Sequence, residues 1–155
     1  MMKDSEEKVL KRVITALEEN HIPFQVTGGL AAIFYGTKRP LYDIDIDVYE
    51  KDMAKVKELF KPFLTKDLFH CEDPWWNGWL MIFKIDGVLV DISQVEEWYA
   101  VSPSGEKKRM TATPEDAEVL EVAGMQIPTV RKEVLIEYKK HMARATDMED
   151  ISQIS

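Results

Sequence analysis

Three aspartates alternate with aliphatic residues between Asp43 and Val48, in the sequence DIDIDV. Successive side chains of a β-strand point to opposite faces, so the three carboxylates share one face and the aliphatic side chains share the other. Asp43 and Asp45 are then expected about 6 to 7 Å apart along the strand, close enough to surround one metal ion. Carboxylates at this spacing repel one another unless a cation or a proton is present. The pattern therefore predicts a divalent cation site.

The same aspartates have a structural explanation, in which they are solvated charges on the water-facing side of an edge strand. Asp is disfavoured in strands, however, because its side chain competes for backbone hydrogen bonds and packs badly on a pleated surface. Three aspartates in one short strand would weaken it without any structural return. The cation site is therefore the preferred interpretation, and the residues upstream support it.

Two adjacent glycines, Gly28 and Gly29, lie where the apolar strand FQV is followed by the helical pattern LAAIFYG. Glycine permits a positive φ angle and lets another group approach the backbone closely. The start of a helix offers unpaired N–H groups and the positive end of its dipole to an anion. A tight turn alone would also explain a glycine pair. Beside the aspartates, the pair favours a phosphate-binding turn, which a nucleotide–Mg²⁺ complex requires next to its cation site.

These residues together resemble the signature of a known superfamily. Gly28 and Gly29, thirteen intervening residues and then the run Asp-Ile-Asp that begins at Asp43 are similar to the motif of the DNA polymerase β-like nucleotidyltransferases. The resemblance is greatest to small members, such as the lincosamide nucleotidyltransferases and the nucleotidyltransferase components of abortive-infection systems. Those proteins often carry an arginine four residues before the first aspartate, where this chain has Arg39.

The resemblance continues to the C-terminal part of the chain and spans roughly residues 24 to 152. The family's third carboxylate comes from a later strand flanked by aliphatic residues, and the sequence VLVDIS matches it at Asp91. Members also tend to end with a helical stretch that carries spaced basic and acidic residues. The segment LIEYKKHMARATDMED resembles that stretch and supplies Lys139, Arg144, Asp147 and Asp150.

The resemblance implies an enzyme that moves a nucleoside monophosphate from a nucleoside triphosphate to a hydroxyl acceptor and releases pyrophosphate. The implied cofactor is Mg²⁺ or Mn²⁺. Asp91 either shares the second metal or accepts the proton of the acceptor hydroxyl. Asp47 lies outside the family's usual pair and is interpreted as a supporting residue behind the metal ligands. The implied catalytic and metal-binding residues are Asp43, Asp45 and Asp91, and the implied nucleotide-binding residues are Gly28, Gly29, Arg39 and Lys139.

Two other functions stay open at this point. One is a non-catalytic module on the same fold, which binds a nucleotide or a protein partner without turnover. The presence of all three carboxylates argues against it, because a binding module has no need of the third, Asp91. The other is a toxin-like transferase whose acceptor is tRNA or protein.

Length and composition indicate one globular domain over residues 1–155, with 45% hydrophobic and 31% charged residues. The net charge of −8 and the lack of a basic stripe argue against duplex DNA as a partner. A triphosphate chelated to Mg²⁺ fits better, with a small molecule, a tRNA or a protein as acceptor. A partner subunit or a homodimer would complete the acceptor site.

No apolar run approaches the ~18 residues that span a bilayer, and a single cysteine fits a reducing cytoplasm.

The order of strands and helices predicts an α/β layer arrangement. The resemblance implies an α+β nucleotidyltransferase fold, with a mixed β-sheet flanked by helices. Residues 4–20 and 51–60 have helical patterns, and Asp4 is the expected N-terminal cap of the first helix. Residues 80–85 and 88–92 predict a hairpin joined by an Asp-Gly turn.

Four later segments have less regular patterns. Residues 71–79 are expected to form a loop, whose three tryptophans (Trp75, Trp76 and Trp79) are more often structural than ligand-binding, with Trp76 the best contact candidate. Residues 95–113 are expected to be irregular, and residues 115–130 to form a strand pair that turns near Gly124. Helices are expected over residues 131–144 and 147–154, with Asp147 as the N-cap of the second.

Overall fold

Alternating helices and strands build one layered α+β unit in the computed structural model, which describes residues 2–154. The helices are α1 (Asp4–Glu19), α2 (Gly28–Phe34), α3 (Met53–Leu59), α4 (Lys132–Met142) and α5 (Ala145–Gln153). The strands are β1 (Phe24–Thr27), β2 (Ile44–Val48), β3 (Leu64–Glu72), β4 (Trp76–Ile85), β5 (Val88–Gln94), β6 (Tyr99–Val101), β7 (Lys107–Arg109), β8 (Glu118–Val122) and β9 (Met125–Thr129). Short 3₁₀ turns cover Glu50–Asp52, Lys61–Phe63 and Pro114–Asp116.

The strands described within residues 2–154 join in one nine-stranded sheet in the order β7-β6-β4-β5-β2-β1-β9-β8, with β3 paired to β4. The sheet is mixed, because β2 runs parallel to β5 and β1 parallel to β9, whereas the other neighbours are antiparallel. This arrangement confirms the predicted α+β class with a mixed sheet. None of the helices in this part of the chain is long and apolar enough to cross a membrane.

The hydrophobic core lies against one face of the sheet, and strand β2 shows how the two faces differ. Its aliphatic residues Ile44, Ile46 and Val48 are buried in the same cluster as the apolar side of α1, whereas its aspartates face the opposite side. Alternation with period two therefore places the core residues on one face of this strand and the candidate site residues on the other. The core face holds the sheet in place, and the other face is available for a site.

Two segments predicted as loop or irregular structure contain strands, so those predictions are wrong for the residues that lie in the strands. Residues 71–79 belong to the β3–β4 hairpin, whose turn is closed where the carboxylate of Asp73 accepts the backbone N–H groups of Trp75 and Trp76. Residues 95–113 contain the short hairpin β6–β7. Strand β3 is exposed along most of its length, so its sequence lacks the apolar alternation by which strands are recognised.

Two helix starts also differ from expectation. Helix α1 begins at Asp4 itself, with Lys3 as its N-cap and the Lys3 backbone N–H donating to Glu6. Helix α5 begins at Ala145, so Asp147 is its third residue and not its cap. Asp147 still satisfies the helix start, because its carboxylate accepts the backbone N–H of Arg144 at 3.0 Å.

The last two helices are joined to each other and to the loop before β2 by a buried cluster of charges. Asp150 accepts hydrogen bonds from Arg39 Nε at 2.9 Å and from Lys139 Nζ at 2.8 Å. Asp147 pairs with Lys139 at 3.5 Å and with Arg144 at 2.7 Å. Burial alone would raise the pKa of Asp150, but the hydrogen bonds from Arg39 and Lys139 outweigh it and lower the pKa. This ion-pair cluster attaches α5 to the segment that leads into Asp43.

Removing the central carboxylate of this cluster should destabilise the fold. We expect Asp150→Ala to lower the free energy of unfolding by about 3 kcal/mol, because it removes the buried carboxylate that accepts from both Arg39 and Lys139. Asp150 is 1% exposed and Lys139 is 3% exposed, so water does not replace the lost bond. Urea denaturation measures the change. Glu149→Ala, at the exposed neighbouring position, is the control; an equal, small effect of both substitutions would contradict a stabilising role for the cluster.

Candidate active site

The register between two parallel strands brings three carboxylates together. Strands β2 and β5 pair Asp45 with Asp91 directly, and Asp43 precedes β2 on the same side. One carboxylate oxygen from each of Asp43, Asp45 and Asp91 lies within 4.8 Å of the others. The structure thus places the three predicted site aspartates in one cluster, although the residues come from two strands that are separated by more than forty positions in the chain.

Burial and mutual repulsion make these carboxylates reluctant to ionise together. Burial, followed by the charges of Asp43 and Asp91, raises the pKa of Asp45 well above its ordinary value. Burial and the neighbouring Asp43 raise the pKa of Asp91 to about 7. Burial also raises the pKa of Asp47 to about 7, against the lowering effect of a hydrogen bond from Gln25. A sheet face with such groups is stabilised by protons or by a bound cation.

The glycine pair has a structural reason that the sequence did not reveal. Gly28 adopts a φ of +61°, and a Cβ atom there would overlap a carboxylate oxygen of Asp45. A Cβ atom on Gly29 would lie 2.6 Å from Arg39 Nη2. The groups that approach the backbone closely at these glycines are therefore the side chains of Asp45 and Arg39. Each glycine positions one charged group of the site.

The predicted cationic residues line the site but are held by an acidic partner. Arg39 and Lys139 both border the cavity above the aspartates, and both donate hydrogen bonds to Asp150. Arg39 also lies 5.6 Å from the ring centre of Tyr42, whose side chain is 71% exposed at the cavity edge. Their contact with a nucleotide stays a prediction, and the ion pairs fix where their charges stand.

A cavity of about 530 Å³ covers the three aspartates and extends along the sheet. One end is polar and contains the glycine turn and the carboxylates. The other end is bordered by apolar and aromatic side chains, among them Trp76, Trp98, Met110 and Met142. Of the three tryptophans in the predicted loop, Trp76 lines the cavity, whereas Trp75 and Trp79 are exposed on the surface.

Trp98 is a cavity residue that sequence reasoning missed. Its ring packs 5.8 Å from that of Trp76 and lies directly against Gly78, where a Cβ atom would overlap it. The signal in the sequence was the glycine within an otherwise bulky strand, since an isolated strand glycine marks a close approach of another group. The segment that contains Trp98 looked irregular, so nothing in the sequence paired it with β4.

Comparison with solved structures finds the same architecture in nucleotidyltransferases. A protein of Thermotoga maritima with a provisional assignment as a nucleotidyltransferase matches with a TM-score of 0.77 and 20% identity, over 98% of this chain and 93% of that one. The lincosamide antibiotic adenylyltransferase LnuA, bound to lincomycin, matches with a TM-score of 0.63 and 21% identity, over 94% of both chains. ANT(2″)-Ia in complex with adenylyl-2″-tobramycin matches with a TM-score of 0.56 and 18% identity, over 86% of this chain and 74% of that one. The fold is that of the nucleotidyltransferases.

The fold resemblance predicted from the motifs is thereby confirmed, at identities that establish architecture alone. Comparison of the sequence with protein-family models and with curated proteins finds no match. Within the nucleotidyltransferase fold, the donor set of this chain fits a hard divalent cation, because Asp43, Asp45 and Asp91 offer oxygen ligands alone at mutual distances of 4.8 Å or less. The raised pKa of Asp45 and of Asp91 points the same way, because a bound cation would relieve their repulsion.

The raised pKa values predict an unusual dependence of stability on pH. Asp45, Asp47 and Asp91 bind protons more tightly in the folded chain than in the unfolded chain, whose carboxyls titrate near their ordinary values. Their contribution to stability is therefore complete below about pH 4 and is lost as the pH rises towards and past about 7. We expect the metal-free protein to lose about 2 kcal/mol between about pH 5 and about pH 8.

Thermal unfolding across this pH range, with and without millimolar Mg²⁺, measures the effect. Asp150, whose pKa is lowered, titrates below the range and does not change the sign. The stabilisation by Mg²⁺ should grow as the pH rises, because the cation replaces the protons. A metal-free protein whose unfolding temperature rises from about pH 5 to about pH 8 would show that the pKa values of these three carboxyls are not raised in solution.

The glycine contact predicts that a single methyl group weakens cation binding. In Gly28→Ala the added carbon would displace the Asp45 carboxylate and strain a backbone with a φ of +61°. We expect Mg²⁺ or Mn²⁺ affinity, measured by calorimetry, to fall by about tenfold or more. Gly124→Ala is the matched control, since that glycine also has a positive φ angle but has open space where the Cβ would stand. Equal affinity in both variants would contradict the role of Gly28.

Proposed function

We propose that the protein is a metal-dependent nucleotidyltransferase, which moves a nucleoside monophosphate from a nucleoside triphosphate to a hydroxyl acceptor and releases pyrophosphate. The observation that carries the proposal is the cluster of Asp43, Asp45 and Asp91, with oxygens within 4.8 Å, directly beside the glycine turn on a nucleotidyltransferase fold. A structural role alone gives no reason to assemble three partly buried carboxylates that repel one another.

The three aspartates would hold Mg²⁺ or Mn²⁺, and a cation bound there neutralises charge on the triphosphate as the α-phosphorus is attacked. Asp43 and Asp45 are the primary ligands in this proposal. Asp91 is assigned to accept the proton of the acceptor hydroxyl, because one of its carboxylate oxygens lies within 4.8 Å of those of Asp43 and Asp45. It also stands close enough to serve as a third ligand.

The triphosphate tail is assigned to the side of the aspartates on which the glycine turn lies. Gly28 and Gly29 provide backbone without side chains, so that the β- and γ-phosphates can approach closely. Arg39 and Lys139 stand at the edge of the cavity, where their charges balance those of the departing pyrophosphate. Asp150 keeps both cations in position through hydrogen bonds of 2.9 and 2.8 Å.

A small molecule is the favoured acceptor. The structures similar to this chain include an adenylyltransferase bound to lincomycin and ANT(2″)-Ia bound to adenylyl-2″-tobramycin, so small antibiotics serve that role on this fold. The cavity of about 530 Å³ is of the size that encloses a small ligand. The cytoplasmic location, a tRNA or protein acceptor, and a partner subunit or homodimer stay predictions from the sequence.

Transfer of label from α-labelled nucleoside triphosphates, together with pyrophosphate release, tests the proposal directly. We expect Asp43→Asn to reduce transfer by about 100-fold or more and to weaken Mg²⁺ binding, because it removes a charged ligand. Asp86→Asn, in the exposed β4–β5 turn, is the control and should retain full activity. Full activity and Mg²⁺ affinity in Asp43→Asn would overturn the proposal. Tight nucleotide binding by the unaltered protein without transfer to any acceptor would support the non-catalytic module instead.

A further inference from the structure

A second row of polar residues lies beside the metal-binding row on the cavity face of the sheet. Strand pairing places Gln25 opposite Asp47, and Asp47 opposite Ser93, two residues along from the pair formed by Asp45 and Asp91. Gln25 is 1% exposed and Ser93 is 6% exposed, while Asp47 and Ser93 line the cavity. Neither the metal ligands nor the nucleotide-binding residues of the proposed function include this row. Burying three polar groups side by side is costly unless each of them is hydrogen-bonded.

The hydrogen bonds of Gln25 leave an acceptor without a donor. Its amide nitrogen donates to Asp47 Oδ2 at 3.1 Å and to the backbone carbonyl of Ala112 at 3.2 Å. A carbonyl can only accept, so the NH₂ group must face Ala112 and the orientation of the amide is settled. Gln25 Oε1 is then buried with no hydrogen-bond partner among residues 2–154. The two amide hydrogens of Gln25 thus hold the Asp47 carboxylate and the Ala112 carbonyl, and Asp47, which lines the cavity, presents acceptor oxygens to a bound molecule with donor groups.

The position of this row relative to the glycine turn indicates which reactant, the nucleotide or the acceptor, lies next to it. Thr27 pairs with Asp45 and is followed by Gly28, whereas Gln25, two residues earlier, pairs with Asp47. The metal-binding row therefore stands between the glycine turn and the second row. In-line displacement requires the attacking oxygen and the leaving oxygen on opposite sides of the phosphorus. With pyrophosphate leaving at the glycine turn, the acceptor approaches from the side of Asp47.

An apolar wall covers the same end of the cavity. The backbone N–H of Met110 donates to the carbonyl of Trp98 at 2.8 Å, and the side chains of both residues line the cavity. The chain then continues to Ala112, whose carbonyl accepts from Gln25. The space next to Asp47 thus has hydrogen-bond acceptors on the sheet side and an aromatic and thioether surface on another side.

We infer that Asp47, held by Gln25, is a specificity-determining residue that binds a second donor group of the acceptor molecule. The inference rests on the proposed function. The acceptor class is a compact molecule with an apolar flank for Trp98 and Met110, a reacting hydroxyl, and a further hydroxyl or protonated amine. Because the two rows are two residues apart on one strand, the two groups of the acceptor are expected at a separation comparable to that spacing, about 6 to 7 Å.

Matched ring alcohols test this assignment without knowledge of the natural acceptor. The protein is saturated with Mg²⁺ and a non-hydrolysable nucleoside triphosphate analogue, and is then titrated with cyclohexanol, 1,3-cyclohexanediol or 3-aminocyclohexanol by NMR. We expect the diol or the amino alcohol to bind about tenfold more tightly than cyclohexanol, and this preference to fall to about twofold or less in Asp47→Asn. Comparison of the diol with the amino alcohol distinguishes a hydroxyl from an ammonium donor.

Controls separate failure of this inference from failure of the proposed function. Mg²⁺ and the analogue are kept saturating for Asp47→Asn as for the unaltered protein, and Asp86→Asn in the exposed turn should retain the full preference. Equal binding of the three alcohols, a preference that survives in Asp47→Asn, or no binding of any alcohol beside bound analogue would overturn the inference alone. If the unaltered protein does not bind the analogue in the presence of Mg²⁺, both the inference and the proposed function are overturned.

Discussion

Repulsion among the carboxylates on one face of the sheet is the constraint on which the site depends. Asp45 and Asp91 are brought side by side by the parallel pairing of β2 with β5, and Asp43 joins them at the start of β2. The strands cannot separate to relieve this repulsion, because their other faces are packed in the core through residues such as Ile46 and Ile92. Core packing on one face therefore stabilises an unfavourable charge arrangement on the other, and a ligand that removes the repulsion gains that free energy on binding.

The protein contains two clusters of aspartates, which differ in whether cationic side chains balance their charges. Asp147 and Asp150 are surrounded by Arg39, Lys139 and Arg144, and their charges are balanced within the protein. Asp43, Asp45 and Asp91 lie against one another instead, and burial together with the charges of Asp43 and Asp91 raises the pKa of Asp45. This difference distinguishes the structural ion-pair cluster of Asp147 and Asp150 from a cluster of carboxylates that would bind a cation.

The sequence predicted those parts of the structure that follow from local pattern, and missed those that depend on distant pairing. Alternation identified β2 and the β4–β5 hairpin, whose Asp86-Gly87 turn has the positive φ angles that such a turn requires. Alternation and the family resemblance together predicted that Asp43, Asp45 and Asp91 lie on two strands, and β2 and β5 are neighbours in the sheet. Strand β3 was missed because an exposed edge strand needs no apolar alternation. Trp98 was missed because its contact with Gly78 joins segments with no shared pattern.

Strand β2 positions the successive parts of the proposed reaction, because its side chains on the cavity face recur every two residues, about 6 to 7 Å apart. Asp43 lies nearest the segment of Arg39 and Tyr42, Asp45 contacts the glycine turn, and Asp47 meets Gln25 at the far end. A shift of one residue in the register would turn all three aspartates into the core. The same periodicity that buries the aliphatic face thus orders the phosphate side, the cation site and the acceptor side along a single line, so the fold and the proposed chemistry depend on one pairing register.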